Sequence, residues 1–145
     1  MTLEEMETCK YLGRVRNMIR NIDRINEQIV YLRYSLLPGA IRYDKDRVNS
    51  SPKDGMTDTF DRITELEQER NKWVKLKANA ELELLQEFKR LPMGKERSFL
   101  LRYYIHNQNM EQISEELQVT YRHCFRIRQN AIRMFAETQT HNLPK

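Results

Sequence analysis

Apolar side chains recur every three or four residues from about Leu3 to Leu37, the spacing that gathers them on one stripe of an α-helix. Val15, Ile22, Ile29 and Leu36 stand seven apart, and Met18, Ile25 and Leu32 form a second column three residues later, so the stripe reads as a coiled-coil seam. Leu12 and Ile19 widen it, whereas Asn26 and Arg33 continue that same column with polar groups and narrow it again. Pro38-Gly39 stops this helix, and the segment through Ser50-Ser51-Pro52 and Asp54-Gly55 is dense in turn formers, a connector of about 38–56.

A second helix is predicted from about Thr57 to Leu91, with Phe60, Ile63, Leu66, Trp73, Leu76, Ala80, Leu84, Phe88 and Leu91 on one broad face that Arg70 and Lys77 interrupt. At ~1.5 Å rise per residue both helices would reach ~50 Å, and equal lengths on either side of a loop predict a long antiparallel helical hairpin. Because a two-helix pair hides only its inner columns, the width of the stripes predicts a homodimer or higher homo-oligomer.

Pro92-Met93-Gly94 ends the second helix, and the rhythm changes. Three shorter helices follow, Lys95 to His106, Met110 to Leu117, and Tyr121 to about Glu137. Asn109 with Gln112 three residues on forms a capping-box variant, and Thr120 occupies the N-cap place of the last helix. Ile113, Leu117, Val119, Cys124, Ile127, Ala131 and Phe135 can meet one another, with Phe99, Leu100 and Tyr103 supplying a covering helix. The expected plan is therefore all-α: 1–91 a helical hairpin and oligomerisation region, 92–138 a compact helix-turn-helix unit, and 139–145 a tail.

Composition supports that plan, with 32% charged residues against 39% hydrophobic and only 4 glycines and 4 prolines. The net charge of +4 is small, so its location matters more than its size. From Pro92 onward there are eight basic residues (Lys95, Arg97, Arg102, Arg122, Arg126, Arg128, Arg133, Lys145) against five acidic ones (Glu96, Glu111, Glu115, Glu116, Glu137), and four of the eight lie between Arg122 and Arg133. The predicted last helix presents Tyr121, Arg122, Arg126 and Gln129 on its outer face with His123 at the edge. Arginine can pair bidentately with guanine, and helix-start amides with a cap hydroxyl suit a phosphate oxygen. The expected partner is double-stranded DNA, with Tyr121, Arg122, Arg126 and Gln129 at bases, Thr120 and Arg128 at phosphate, and His123 beside them.

At these positions the chain resembles a known family. The run Glu96-Arg97, Leu101-Arg102-Tyr103, Glu111-Gln112-Ile113, Glu116-Leu117, Val119-Thr120, Arg126 and Ala131-Ile132 is similar to region 4 of bacterial sigma factors, which reads a promoter element. The wider match, which takes in Val48, Ser51 and Pro52, is to small phage transcription regulators of the ArpU/RinA type. That resemblance implies control of phage late or packaging genes in a bacterial host, with RNA polymerase as a second partner. Two residues depart from the pattern: Ser114 replaces the usual Ala of the middle helix and Gln118 the usual Gly of the turn. A glutamine held at positive φ costs about 1 kcal/mol.

The remaining signals are bland. Cys9 and Cys124 lack metal-ligand spacing and read as reduced thiols, Cys124 in the core; His106 and His141 have no partners that suggest metal or catalysis. No catalytic motif or cofactor loop occurs, so no enzyme and no cofactor is expected. The acidic start Met1-Thr2-Leu3-Glu4-Glu5 and the lack of a long apolar run predict a cytoplasmic protein away from membranes. A protein-interaction scaffold that binds RNA polymerase is the competing reading. A small DNA-packaging terminase subunit is the other, although its usual order of DNA-binding and oligomer helices is the reverse.

Overall fold

A computed structural model describes residues 2–37 and 52–142, and every regular element among them is helical. In chain order these are α1 (Leu3–Leu12), α2 (Arg14–Ser35), α3 (Pro52–Phe88), α4 (Lys95–Leu100), a π-helical stretch (Leu101–Ile105), α5 (Met110–Leu117) and α6 (Tyr121–Asn142). Among the described residues no helix is long and apolar enough to cross a membrane.

The first predicted helix is divided in two. Thr2 opens α1 with a reciprocal capping box to Glu5. The helix ends at Gly13, whose N–H still donates to the Cys9 carbonyl at 2.9 Å and whose own carbonyl accepts from Asn17. A Cβ at Gly13 would stand 3.1 Å from that Cys9 oxygen, so the close approach of backbone suits glycine. α3 begins earlier than the sequence suggested, at Pro52, a residue whose missing N–H and fixed φ are tolerated in a first turn. The rest of the expected connector, 38–51, with Val48 and Ser51, lies outside the described residues.

Contacts group the chain into two compact units, one of residues 18–76 and one of residues 1–17 with 77–145. In the first, Ile25, Ile29, Ile63 and Leu66 form a buried cluster on which Leu32, Leu36 and Trp73 pack. The pairs Arg33–Glu67 and Asn26–Arg70, at 2.5 and 3.1 Å, step in opposite directions along the two helices, which are antiparallel here. Asn26, Arg33 and Arg70 are three of the polar residues that interrupt the predicted stripes, and they meet one another or Glu67 beside the seam. Phe60 and Leu76, expected on the inner face, are instead about half exposed. They lie on the flanks of the α3 stripe, beyond the width one partner helix covers.

In the second unit the buried side chains come from both ends of the chain. Phe99, Leu100, Ile113, Cys124, Ile127, Ala131 and Phe135 are joined by Leu12 and Val15 and by Leu84, Phe88 and Leu91. Phe88 meets Phe135 edge-on with centroids 5.7 Å apart, and Tyr11 stacks on the same ring at 6.1 Å. The sequence boundary at 92 thus falls inside one core. Around it, the Tyr11 hydroxyl donates to Glu87, which also accepts from Gln139 at 3.1 Å, while Arg14 pairs with Glu83 at 2.7 Å. Gln139 belongs to the segment expected as a tail, and α6 carries it to Asn142.

The covering helix differs by one residue. Tyr104, not Tyr103, is in the core at 2% exposure. The cause is the π-helical stretch, in which His106 N–H reaches back to the Leu101 carbonyl at 3.1 Å. An extra residue in the turn moves the inward phase from Phe99 to Tyr104, five positions on, where an ordinary turn would have chosen Tyr103.

Leu66, 2% exposed at the centre of the α2–α3 cluster, sets the test of this packing. Leu66→Ala is expected to destabilise the chain by about 2 to 5 kcal/mol in urea unfolding, and a loss under about 1 would show that the cluster collapses around the vacancy.

Candidate nucleic-acid interface

The candidate surface is built by the turn that joins α5 to α6. α5 starts at Asn109, whose side chain accepts from Gln112 N–H at 2.8 Å while the Gln112 side chain accepts from Asn109 N–H at 3.0 Å, the expected capping box. It ends on Gln118, held left-handed at φ 57 and ψ 45. Gln118 N–H then donates to Glu115 O at 3.2 Å and Val119 N–H to Ser114 O at 3.0 Å, a Schellman closure that satisfies the last carbonyls. A glutamine thus holds the left-handed position at which glycine is the unstrained choice. Ser114, buried where an alanine is usual, turns its hydroxyl back to the Glu111 carbonyl at 2.7 Å, so no polar atom is orphaned.

Thr120 follows as the N-cap of α6, its hydroxyl accepting from His123 N–H at 3.0 Å. Cys124, Ile127, Ala131, Ile132 and Phe135 fix which face of α6 points inward. The remaining face carries Tyr121, Arg122, His123, Arg126 and Gln129, all exposed and all within three turns of the helix start. There is no acidic residue in the first turn.

Two other arginines of the C-terminal helices are engaged in ion pairs. Arg102 pairs with Glu116 and Arg133 with Glu5. Arg122 and Arg126 make no ion pair among the described residues, so their guanidinium groups face solvent with every donor available. Glu116, on the α5 side of the turn, is engaged by Arg102 and by Gln108 at 3.3 Å.

Arg128 departs from the expected group. It is half buried, with its guanidinium 5.2 Å from the centre of the Tyr103 ring. That ring also stacks on Phe99 at 5.4 Å and lies under Arg16 at 3.9 Å, and Arg16 donates to the carbonyls of Tyr103 and Gln108. Two cations thus share one aromatic ring, and Arg128 is directed at the protein interior. Beside it, burial pushes the Tyr104 phenol up to about 12, with the Arg128 charge acting in the opposite direction. Burial also raises the thiols of Cys9 and Cys124, which keeps both protonated.

One exposed residue of this face escaped the sequence reading. Phe125, 40% exposed, stands edge-on to Tyr121 with ring centroids 5.1 Å apart. Its signal is positional: it lies one turn after Tyr121 and between Arg122 and Arg126, whereas the core positions around it are Cys124 and Ile127. Among the described residues no cluster of His, Cys, Asp or Glu could hold a metal ion. Comparison with protein-family models, with curated proteins and with solved structures finds no match to this chain.

Two measurements follow from the site's construction. Gln118→Gly should raise stability by up to about 1 kcal/mol in urea unfolding by removing the left-handed strain, and a loss would mean that the glutamine side chain holds the turn. An unfolded tyrosine ionises near 10, while folded Tyr104 keeps its proton to about 12. Its contribution to stability is therefore complete below pH 10 and lost as the pH rises towards 12, and Tyr104→Phe should make that decline shallower.

Proposed function

We propose that the chain is a sequence-specific DNA-binding transcription regulator, with α5 and α6 as a helix-turn-helix of the sigma region 4 type carried on a long antiparallel helical hairpin. The observation that carries this reading is the pair of unengaged arginines, Arg122 and Arg126, on the first turns of a capped helix whose other two arginines, Arg128 and Arg133, are engaged by Tyr103 and Glu5. In this role α6 enters the major groove, Arg122 and Arg126 pair with guanine edges, and Gln129 reaches adenine. The Thr120 hydroxyl and the amides beside it hold a phosphate. Arg128 serves the fold rather than the DNA, given its place over Tyr103.

The resemblance to phage regulators of the ArpU/RinA type supports a finer reading, activation of late or packaging genes in a bacterial cytoplasm. Self-association is part of the same proposal. Val30, Tyr31 and Tyr34 on α2 and Phe60 and Leu76 on α3 are 51 to 73% exposed, more aliphatic and aromatic surface than one helix pair hides. A homodimer would bind two symmetric half-sites. The same exposed side chains also favour a second reading, docking of a protein such as RNA polymerase.

The deciding experiment is binding to fragments of the source genome at two salt concentrations with excess random duplex as competitor. A discrete protected site whose affinity falls steeply with salt supports DNA regulation, and no preference over random DNA supports the protein-partner reading. On the protected site Arg126→Ala is expected to cost about 1 to 3 kcal/mol and less on random duplex, whereas equal losses on both would remove it from base reading.

A further inference from the structure

Phe125 is an apolar ring set into a cationic surface. Most large side chains of α6 that can be buried are buried, among them Ile127, Ile132 and Phe135. Phe125 remains 40% exposed because Cys124 and Ile127 fix the inward face and leave position 125 on the flank that carries Tyr121, Arg122 and Arg126. Tyr121 holds it there through the edge-on contact at 5.1 Å, so the ring is oriented before any partner arrives. A surface of two unengaged arginines calls for a polyanion, and a fixed apolar ring beside them calls for an apolar group within that polyanion. In the major groove of duplex DNA one group has that character, the C5-methyl of thymine. RNA offers neither the methyl nor a groove wide enough to admit the helix.

Resting on the DNA-regulator reading above, we infer that Phe125 is a specificity-determining residue that packs against a thymine methyl group in each half-site, braced by Tyr121. The ligand is thereby narrowed to thymine-containing duplex DNA, with the thymine beside the bases that Arg122 and Arg126 read. Arg122 and Arg126 supply charge and polar pairing, and Phe125 adds discrimination between thymine and cytosine at a position where neither arginine pairs.

The test uses the full-length protein and its protected site, with each thymine replaced in turn by uracil, which deletes only the methyl group. The unaltered protein should lose about fourfold in affinity at one position per half-site, the factor that burial of a single methyl provides. Phe125→Ala should bind more weakly and lose its sensitivity to that one replacement, while Phe125→Leu, which keeps an apolar contact, should retain part of it. Melting of each variant, monitored by circular dichroism, checks that the fold is kept. If the protein protects a discrete site yet tolerates uracil at every position, or if Phe125→Ala keeps the same sensitivity, the inference is overturned while the regulator reading stands. If no site is preferred over random DNA, both fall together. Tighter binding to single strands than to duplex would also overturn it, and would make the ring a platform for stacked bases instead.

Discussion

Phe135 is 1% exposed, with Phe88 edge-on to it and Tyr11 stacked on it, and through it three segments far apart in sequence share one core. The ring sits in the second half of α6, a single helix of 22 residues. Once that half is clamped by α1 and the end of α3, the direction of the whole helix is set, because helical hydrogen bonding carries the constraint to the first turns. The exposed face at Tyr121 to Gln129 is therefore held from two places, by Phe135 further along the helix and by buried Cys124 and Ile127 on the opposite side of its own turns.

Polar groups placed beside apolar ones do a second kind of work. Between α2 and α3, the Asn26–Arg70 and Arg33–Glu67 pairs lie next to Ile25, Ile29, Ile63 and Leu66. Such contacts between partly exposed groups add little net stability. Sliding one helix by a turn would part both pairs while leaving apolar area in contact, so they discriminate between registers that hydrophobic burial alone treats as similar. In the other unit Arg16 plays a comparable part, satisfying the carbonyls of Tyr103 and Gln108 where the π-helical stretch ends.

Local rules carried over from sequence to structure with good fidelity. The capping box at Asn109 and Gln112, the Thr120 cap and the left-handed Gln118 all follow from a few neighbouring residues, and all are present. The seven-residue columns of the first helix likewise located Ile25 and Ile29, and the broad apolar face of the second located Ile63 and Leu66. What the sequence concealed was set by distant neighbours or by one-residue shifts of phase. Tyr104 takes the inward place from Tyr103 because the helix locally widens, an event with no residue signature comparable to a proline or glycine. Arg128 turns inward because the Tyr103 ring offers it an aromatic face there, and helical periodicity alone left it free to point at a phosphate. Phe125 was missed for the opposite reason, since hydrophobic residues are expected inside and its exposure is visible only once the core is filled.

The shared core around Phe135 also bears on inheritance. Terminal helical units are commonly pictured as cassettes that recombination can move between proteins, with the join made at a break such as Pro92-Met93-Gly94. Here a cut at that point would separate Leu12, Val15, Leu84 and Phe88 from Phe135 and leave the C-terminal helices with part of their interior exposed. Exchange by a single crossover would set foreign side chains against this core, so substitutions on the two sides of the break are coupled through packing.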